Sequence, residues 1–120
     1  MSMYSCVLFY SLMHGLNPVL TNAIIQVESR ENPFSIGSHG DSGLMQIRHQ
    51  FVPETQLQLL NSCTNIERGV QLLKKAKQDC IHKANNTWVI CYNLGIKGAR
   101  KIKYPSSFIY YKKVMNAMRK

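Results

Sequence analysis

The sequence predicts an all-α, mainly helical fold in one domain spanning residues 1–120. Apolar residues recur at three- and four-residue spacing in several segments, and helix start and stop residues bracket those segments. No repeat, linker or low-complexity tract interrupts them. At 45% hydrophobic and 18% charged residues the composition supports a packed core, whereas disorder needs low hydrophobicity with high charge.

The first helix is expected from about Tyr4 to His14, stopped by Gly15. Its apolar run, Cys6 to Tyr10 with Leu12 and Met13, has no preceding Lys or Arg and no small-residue cleavage site after it, so it reads as a core helix rather than an export signal. No apolar run approaches the roughly 20 residues that span a bilayer. Asn17 followed by Pro18 caps a second helix. Leu20, Ala23, Ile24 and Val27 form its apolar face to about Arg30, and Pro33 forbids continuation. Residues 34–43 hold three Gly, three Ser and an Asp, which suits a loop or a short hairpin. A helix is expected over Pro53–Leu60. Thr64 and Glu67 make a capping box for a helix with Ile66, Val70 and Leu73 on one face, ending near His82. Thr87 is expected to cap a short apolar helix, Trp88–Leu94, closed by Gly95. Pro105, Ser106 and Ser107 introduce a last helix with Phe108, Tyr111, Met115 and Met118 on its core stripe.

Charge is unevenly placed. Lys and Arg total 15 against 6 Asp and Glu, and of these residues 70–120 carry twelve cations against Asp79 alone. That half suits an anionic partner: nucleic acid, a membrane surface or a carboxylate-bearing wall polymer. No helix-turn-helix or RNA-module signature accompanies it, so nucleic acid is not expected. Four cysteines, Cys6, Cys63, Cys80 and Cys91, allow three pairings and lack CxxC spacing, which fits neither zinc nor thioredoxin chemistry. An even count in a short chain favours disulfides and an oxidising compartment. His14, His39, His49 and His82 have no metal-ligand spacing, and no phosphate-binding or dinucleotide motif occurs, so neither metal nor cofactor is expected.

Glu28 is the distinctive acid. It falls beside the apolar face, at the negative end of the second helix, where desolvation and the helix dipole both disfavour a carboxylate. A carboxyl kept neutral near pH 7 is what protonation of a glycosidic oxygen requires, although an exposed Glu paired with Arg30 would fit the position equally. Glu67 is explained by its cap, and Glu31, Glu54 and Asp79 read as surface residues. Asp41 suits an Asx turn, yet its loop would bring it near Glu28.

Glu28-Ser29, Gly43-Leu44-Met45-Gln46-Ile47, Asn65-Ile66 with Gly69 and Leu72-Leu73, and Tyr92-Asn93-Leu94-Gly95 stand in the order of the motifs of the soluble lytic transglycosylase family, which most of the chain resembles. Leu16-Asn17-Pro18, Tyr110 and Val114 also fall at comparable places. The resemblance implies a lysozyme-like helical domain with a small loop or hairpin beside a cleft for peptidoglycan glycan strands. Glu28 would be catalytic acid and base, cleaving between N-acetylmuramic acid and N-acetylglucosamine and closing a 1,6-anhydro ring. Met45 and Gln46 would line the cleft beside it, Tyr92 and Asn93 would form the opposite wall, and Tyr110 would orient Glu28.

Some positions depart from the family pattern. Gly37 stands where the family often has a substrate-binding Ser, with Ser35 and Ser38 as substitutes. Arg48 stands where goose-type lysozymes, which hydrolyse, commonly carry an Asp. Asp41, the Cys63-Thr64-Asn65-Ile66 string and Thr87-Trp88 resemble the small enzymes of type III and type IV secretion machines and phages. That branch implies a Cys6–Cys63 disulfide, with Cys80 and Cys91 unassigned and Cys91 read as a small buried thiol. The expected enzyme is thus a lytic transglycosylase acting in the periplasm or cell wall, delivered by a virion or secretion assembly. The alternatives are a hydrolytic muramidase in which Asp41 activates water, and a non-catalytic wall-binding virion or secretion component.

Overall fold

The computed structural model describes residues 1–120. Six helices make the architecture: α1 (Met3–Met13), α2 (Pro18–Ser29), α3 (Gln56–Leu59), α4 (Ser62–Asp79), α5 (Val89–Arg100) and α6 (Ile109–Met118). A two-stranded antiparallel hairpin, β1 (Asp41–Ser42) and β2 (Ile47–Arg48), pairs Asp41 with Arg48 and Ser42 with Ile47. The fold is mainly α, as the sequence predicts.

Each helix has a local cause. Ser2 caps α1 by accepting from the Ser5 amide, and Gly15, at φ +68°, ends it in a conformation that other residues resist. Asn17 accepts from the Val19 amide at the start of α2, with Pro18 at its first position. Arg30 and Glu31 both take left-handed backbone conformations after α2, turning the chain sharply just beyond Glu28. The core is formed by Ile24 and Ile25 of α2, Ile66, Val70 and Leu73 of α4, Val89 and Ile90 of α5, and Val114 of α6. Leu44 and Met45 of the hairpin turn also enter this core, which anchors the turn.

Several elements differ from expectation. Only Cys6, Val7 and Ser11 of α1 are buried, while Leu8, Phe9 and Leu12 face outward, so α1 contributes one face to the core. The Pro53–Leu60 helix shrinks to four residues, and the capping box belongs to Thr55 and Gln58. Thr64 does not open α4. Asn61 starts that helix earlier by accepting from the Thr64 amide, leaving Thr64 in its first turn and Glu67 exposed. At its far end α4 stops at Asp79, because Cys80 turns to an extended conformation and bonds to Cys91. Thr87 gives α5 no side-chain cap, and Gly95, at φ 78° and ψ 164°, kinks α5 without ending it. The helix resumes because Ala99 reaches the core on the far side of the break. In α6 the buried residues are Tyr110 and Val114, with Phe108, Tyr111, Met115 and Met118 half-buried around them.

Two disulfides staple the two ends of α4. Cys63, its second residue, bonds Cys6 of α1, and Cys80, just past its end, bonds Cys91 of α5. Cys91 is therefore a cystine, not a lone thiol. No helix is long and apolar enough to cross a membrane.

Candidate active site

A cleft of about 510 Å³ opens where the hairpin, α4 and α5 meet the end of α2. Glu28, Asp41, Gln46, Arg48, Tyr92 and Asn93 supply its main polar lining, and Phe51, Leu72 and Ile96 supply apolar wall.

Glu28 reaches this cleft from the last turn of α2. Tyr110 of α6, only 8% exposed, donates its hydroxyl to Glu28 Oε2 at 2.9 Å. Burial lifts the Glu28 pKa from its ordinary value to about 7 against the opposing pull of the Tyr110 hydrogen bond, and the charge of Asp41 adds to the rise. At neutral pH this carboxyl divides between acid and carboxylate, the state a group needs to give and then take a proton. Tyr92 donates to the Met45 carbonyl at 2.7 Å. Burial, with the nearby charges of Glu28 and Asp41, holds the Tyr92 phenol far above its usual value, so it remains a donor.

The hairpin turn is held from beneath. Asn65, fully buried in α4, accepts from the Met45 amide and donates to the Ser42 and Leu59 carbonyls, each at 2.8 Å. Gly43, at φ +76°, must be glycine, since a Cβ there would run into the Asn65 side chain and the Leu59 carbonyl. Gly69 likewise leaves room for the Met45 thioether. Gln46 sits in a left-handed conformation and donates its amide nitrogen to the Ser35 and Gly43 carbonyls at 3.0 and 2.9 Å. Such a conformation in a residue other than glycine persists only where its surroundings enforce it.

The cleft gathers Glu28, Asp41, Gln46, Tyr92 and Asn93, while Tyr110 stands behind Glu28. Two expected site residues fall elsewhere. Met45 is buried beneath the turn against Gly69, so it supports the wall and does not line it. Ser38 is exposed beside His39, outside the cleft. At the neighbouring Gly37 a Cβ would come within 2.9 Å of Gln46 Oε1 and 3.2 Å of Asp41 Oδ2. Those two side chains fill the space that a residue at position 37 would use.

Sequence reasoning missed Phe51 and Lys75 on the cleft wall, and it singled out Arg48 without foreseeing its pairing with Asp41. Phe51 is 77% exposed, an apolar ring with no core to join, and Arg48 reaches Asp41 with Nε at 3.0 Å from Oδ1. Two-residue strands leave too little pattern for this register to be read in advance. No cluster of three or more His, Cys, Asp or Glu side chains could hold a metal ion.

No curated protein matches the chain. A family model described as the Transglycosylase SLT domain matches residues 5–113.

Proposed function

The chain belongs to the transglycosylase SLT domain family, and from that premise we propose that it is a lytic transglycosylase with Glu28 as its one catalytic acid and base. The family cleaves glycosidic bonds of peptidoglycan, so the substrate is that polymer and the site of action is extracytoplasmic. The proposed bond is the β-1,4 link from N-acetylmuramic acid to N-acetylglucosamine, and the whole of residues 1–120 serves as the catalytic domain.

One observation carries the reading: a desolvated carboxyl with its pKa near 7, hydrogen-bonded by Tyr110 at the floor of a cleft. In the first step Glu28 gives its proton to the glycosidic oxygen as the bond from the muramoyl C1 breaks, and positive charge develops on the sugar. The substrate's own N-acetyl group assists at C1. Glu28, now a carboxylate, takes the proton of the muramoyl C6 hydroxyl as that oxygen bonds C1. The 1,6-anhydro ring closes and no water is consumed. Gln46, Tyr92 and Asn93 bind the strand along the walls, and Tyr110 orients Glu28.

A hydrolytic reading has support from Asp41, whose carboxylate lines the same cleft. There Asp41 would take a proton from water, a role that in inverting enzymes wants carboxyls about 6.5–9.5 Å apart. Mass spectrometry of digested peptidoglycan separates the two: 1,6-anhydro muropeptides are expected, and fully reducing muramic ends would replace the transglycosylase reading. Glu28→Gln is expected to lower turnover by at least ~10²-fold, the lower range for a lost acid–base group. Clearing at the parent rate would mean a non-catalytic wall-binding protein.

The proposed role is local opening of the wall for a phage particle or a secretion machine. The Cys63-Thr64-Asn65-Ile66 and Thr87-Trp88 strings, which resemble the specialised enzymes of those assemblies, support it. Gene neighbourhood tests this role, with virion or secretion genes alongside as the expected result.

A further inference from the structure

The geometry points to Arg48 as a positioning residue that sets the fate of the cleaved sugar: it ties the Asp41 carboxylate into an ion pair, away from the role of base toward water, and so commits the reaction to ring closure. This rests on the transglycosylase reading above and concerns a residue with no part in its two proton transfers.

The cleft contains two carboxylates, and a second carboxylate is what hydrolysis by an inverting route needs. What differs here is how the second is held. Asp41 and Arg48 stand directly opposite in the β1–β2 pair, so the hairpin register itself presents the guanidinium to the carboxylate. Arg48 Nε lies 3.0 Å from Oδ1, and Oδ2 is turned toward the bare backbone of Gly37, where an added Cβ would meet it at 3.2 Å. One oxygen is engaged by a charge-assisted hydrogen bond, and the other lies against the loop. The Gly37 amide also donates to the Asp41 carbonyl at 2.8 Å, which fixes the backbone beneath the carboxylate.

The other charged or titratable groups around the two acids are Tyr110 from α6, Tyr92 from α5 and Lys75 from α4. Both tyrosines are hydroxyl donors, and Lys75 is paired with Asp79 at 2.9 Å. None of them can replace Glu28 in taking the C6 proton. With Asp41 held in its ion pair, Glu28 is the base that remains, and it serves the C6 hydroxyl. With Arg48 removed, Asp41 is free to accept a proton from water. The water oxygen then bonds C1, its proton passes to Asp41, and the muramic product leaves as a reducing sugar one water heavier.

The test uses the full chain and peptidoglycan digested in ¹⁸O-labelled water. The unaltered protein gives unlabelled anhydro ends. Arg48→Gln is expected to turn labelled reducing ends from background into a major product, and Asp41→Asn added to it should return the anhydro product. Arg48→Lys, which keeps a cation opposite Asp41, should hold to anhydro ends. Arg48 is exposed on a strand edge, so Arg48→Ala serves equally should the glutamine disturb the hairpin, with helical circular dichroism as the folding control. Anhydro ends from both the Gln and Ala variants would overturn the inference and leave the transglycosylase reading standing. So would loss of all cleavage in folded variants, since a residue that only withholds a second base is not needed for bond breaking. Labelled reducing ends from the unaltered protein would overturn the transglycosylase reading, and this inference with it.

Discussion

At Glu28 the interests of stability and chemistry oppose each other. The folded protein holds this proton up to about pH 7, whereas an unfolded chain releases it near the ordinary value of 4.5. The stability contribution of the group is therefore greatest below about pH 4.5 and is lost as pH rises through 7. The deficit above pH 7 is roughly 3 kcal/mol. Glu28→Gln should remove it: thermal melts at pH 8 are expected to show a gain of up to roughly 3 kcal/mol that vanishes at pH 4. Tyr110→Phe acts in the other direction on catalysis. Its hydroxyl favours the carboxylate, so its loss lifts the Glu28 pKa further, and the alkaline fall in kcat/KM should move to higher pH. A Tyr110 that only packed would leave that limb in place. Glu28 was legible because it ends an apolar stripe. Its partner, 82 residues away, follows from tertiary folding, and only the family resemblance pointed to it.

Among the elements, the Gly43–Gln46 turn depends on one side chain of α4. Asn65→Ala would leave the Met45 amide and the Ser42 and Leu59 carbonyls without their partner inside the protein. At about 1–3 kcal/mol for a buried unsatisfied group, the loss should reach at least ~3 kcal/mol in urea unfolding. Turnover should fall with it, because Gln46 rides on the same turn. The helices themselves were legible where their signals are local: Asn17-Pro18 starts α2 as the sequence predicts. Errors arose where two local signals compete. Asn61 captured the start of α4 ahead of Thr64, and the glycine at 95 reads locally as a stop although burial of Ala99 carries α5 past it. The hairpin's Asp41–Arg48 pairing depends on register alone, which strands this short do not encode in any periodicity.

For the whole molecule, the two cystines differ in reach. Cys6–Cys63 joins residues 57 apart and Cys80–Cys91 residues 11 apart, and loop-closure entropy then gives about 4 and about 3 kcal/mol respectively. Replacing Cys6 and Cys63 by Ala should therefore lower the midpoint of denaturant unfolding more than replacing Cys80 and Cys91. Activity should respond in the opposite order, since Cys91 lies on the cleft wall next to Tyr92. The longer covalent ring has a further consequence. It encloses Glu28, Asp41 and Gln46, while Tyr92 and Tyr110 lie outside it. The segment after α2 exposes Phe34 and Ile36 to any protease in the space where the protein works. A single cut there would leave two polypeptides that migrate as one until a reductant is added, with the halves of the cleft still tied through sulfur.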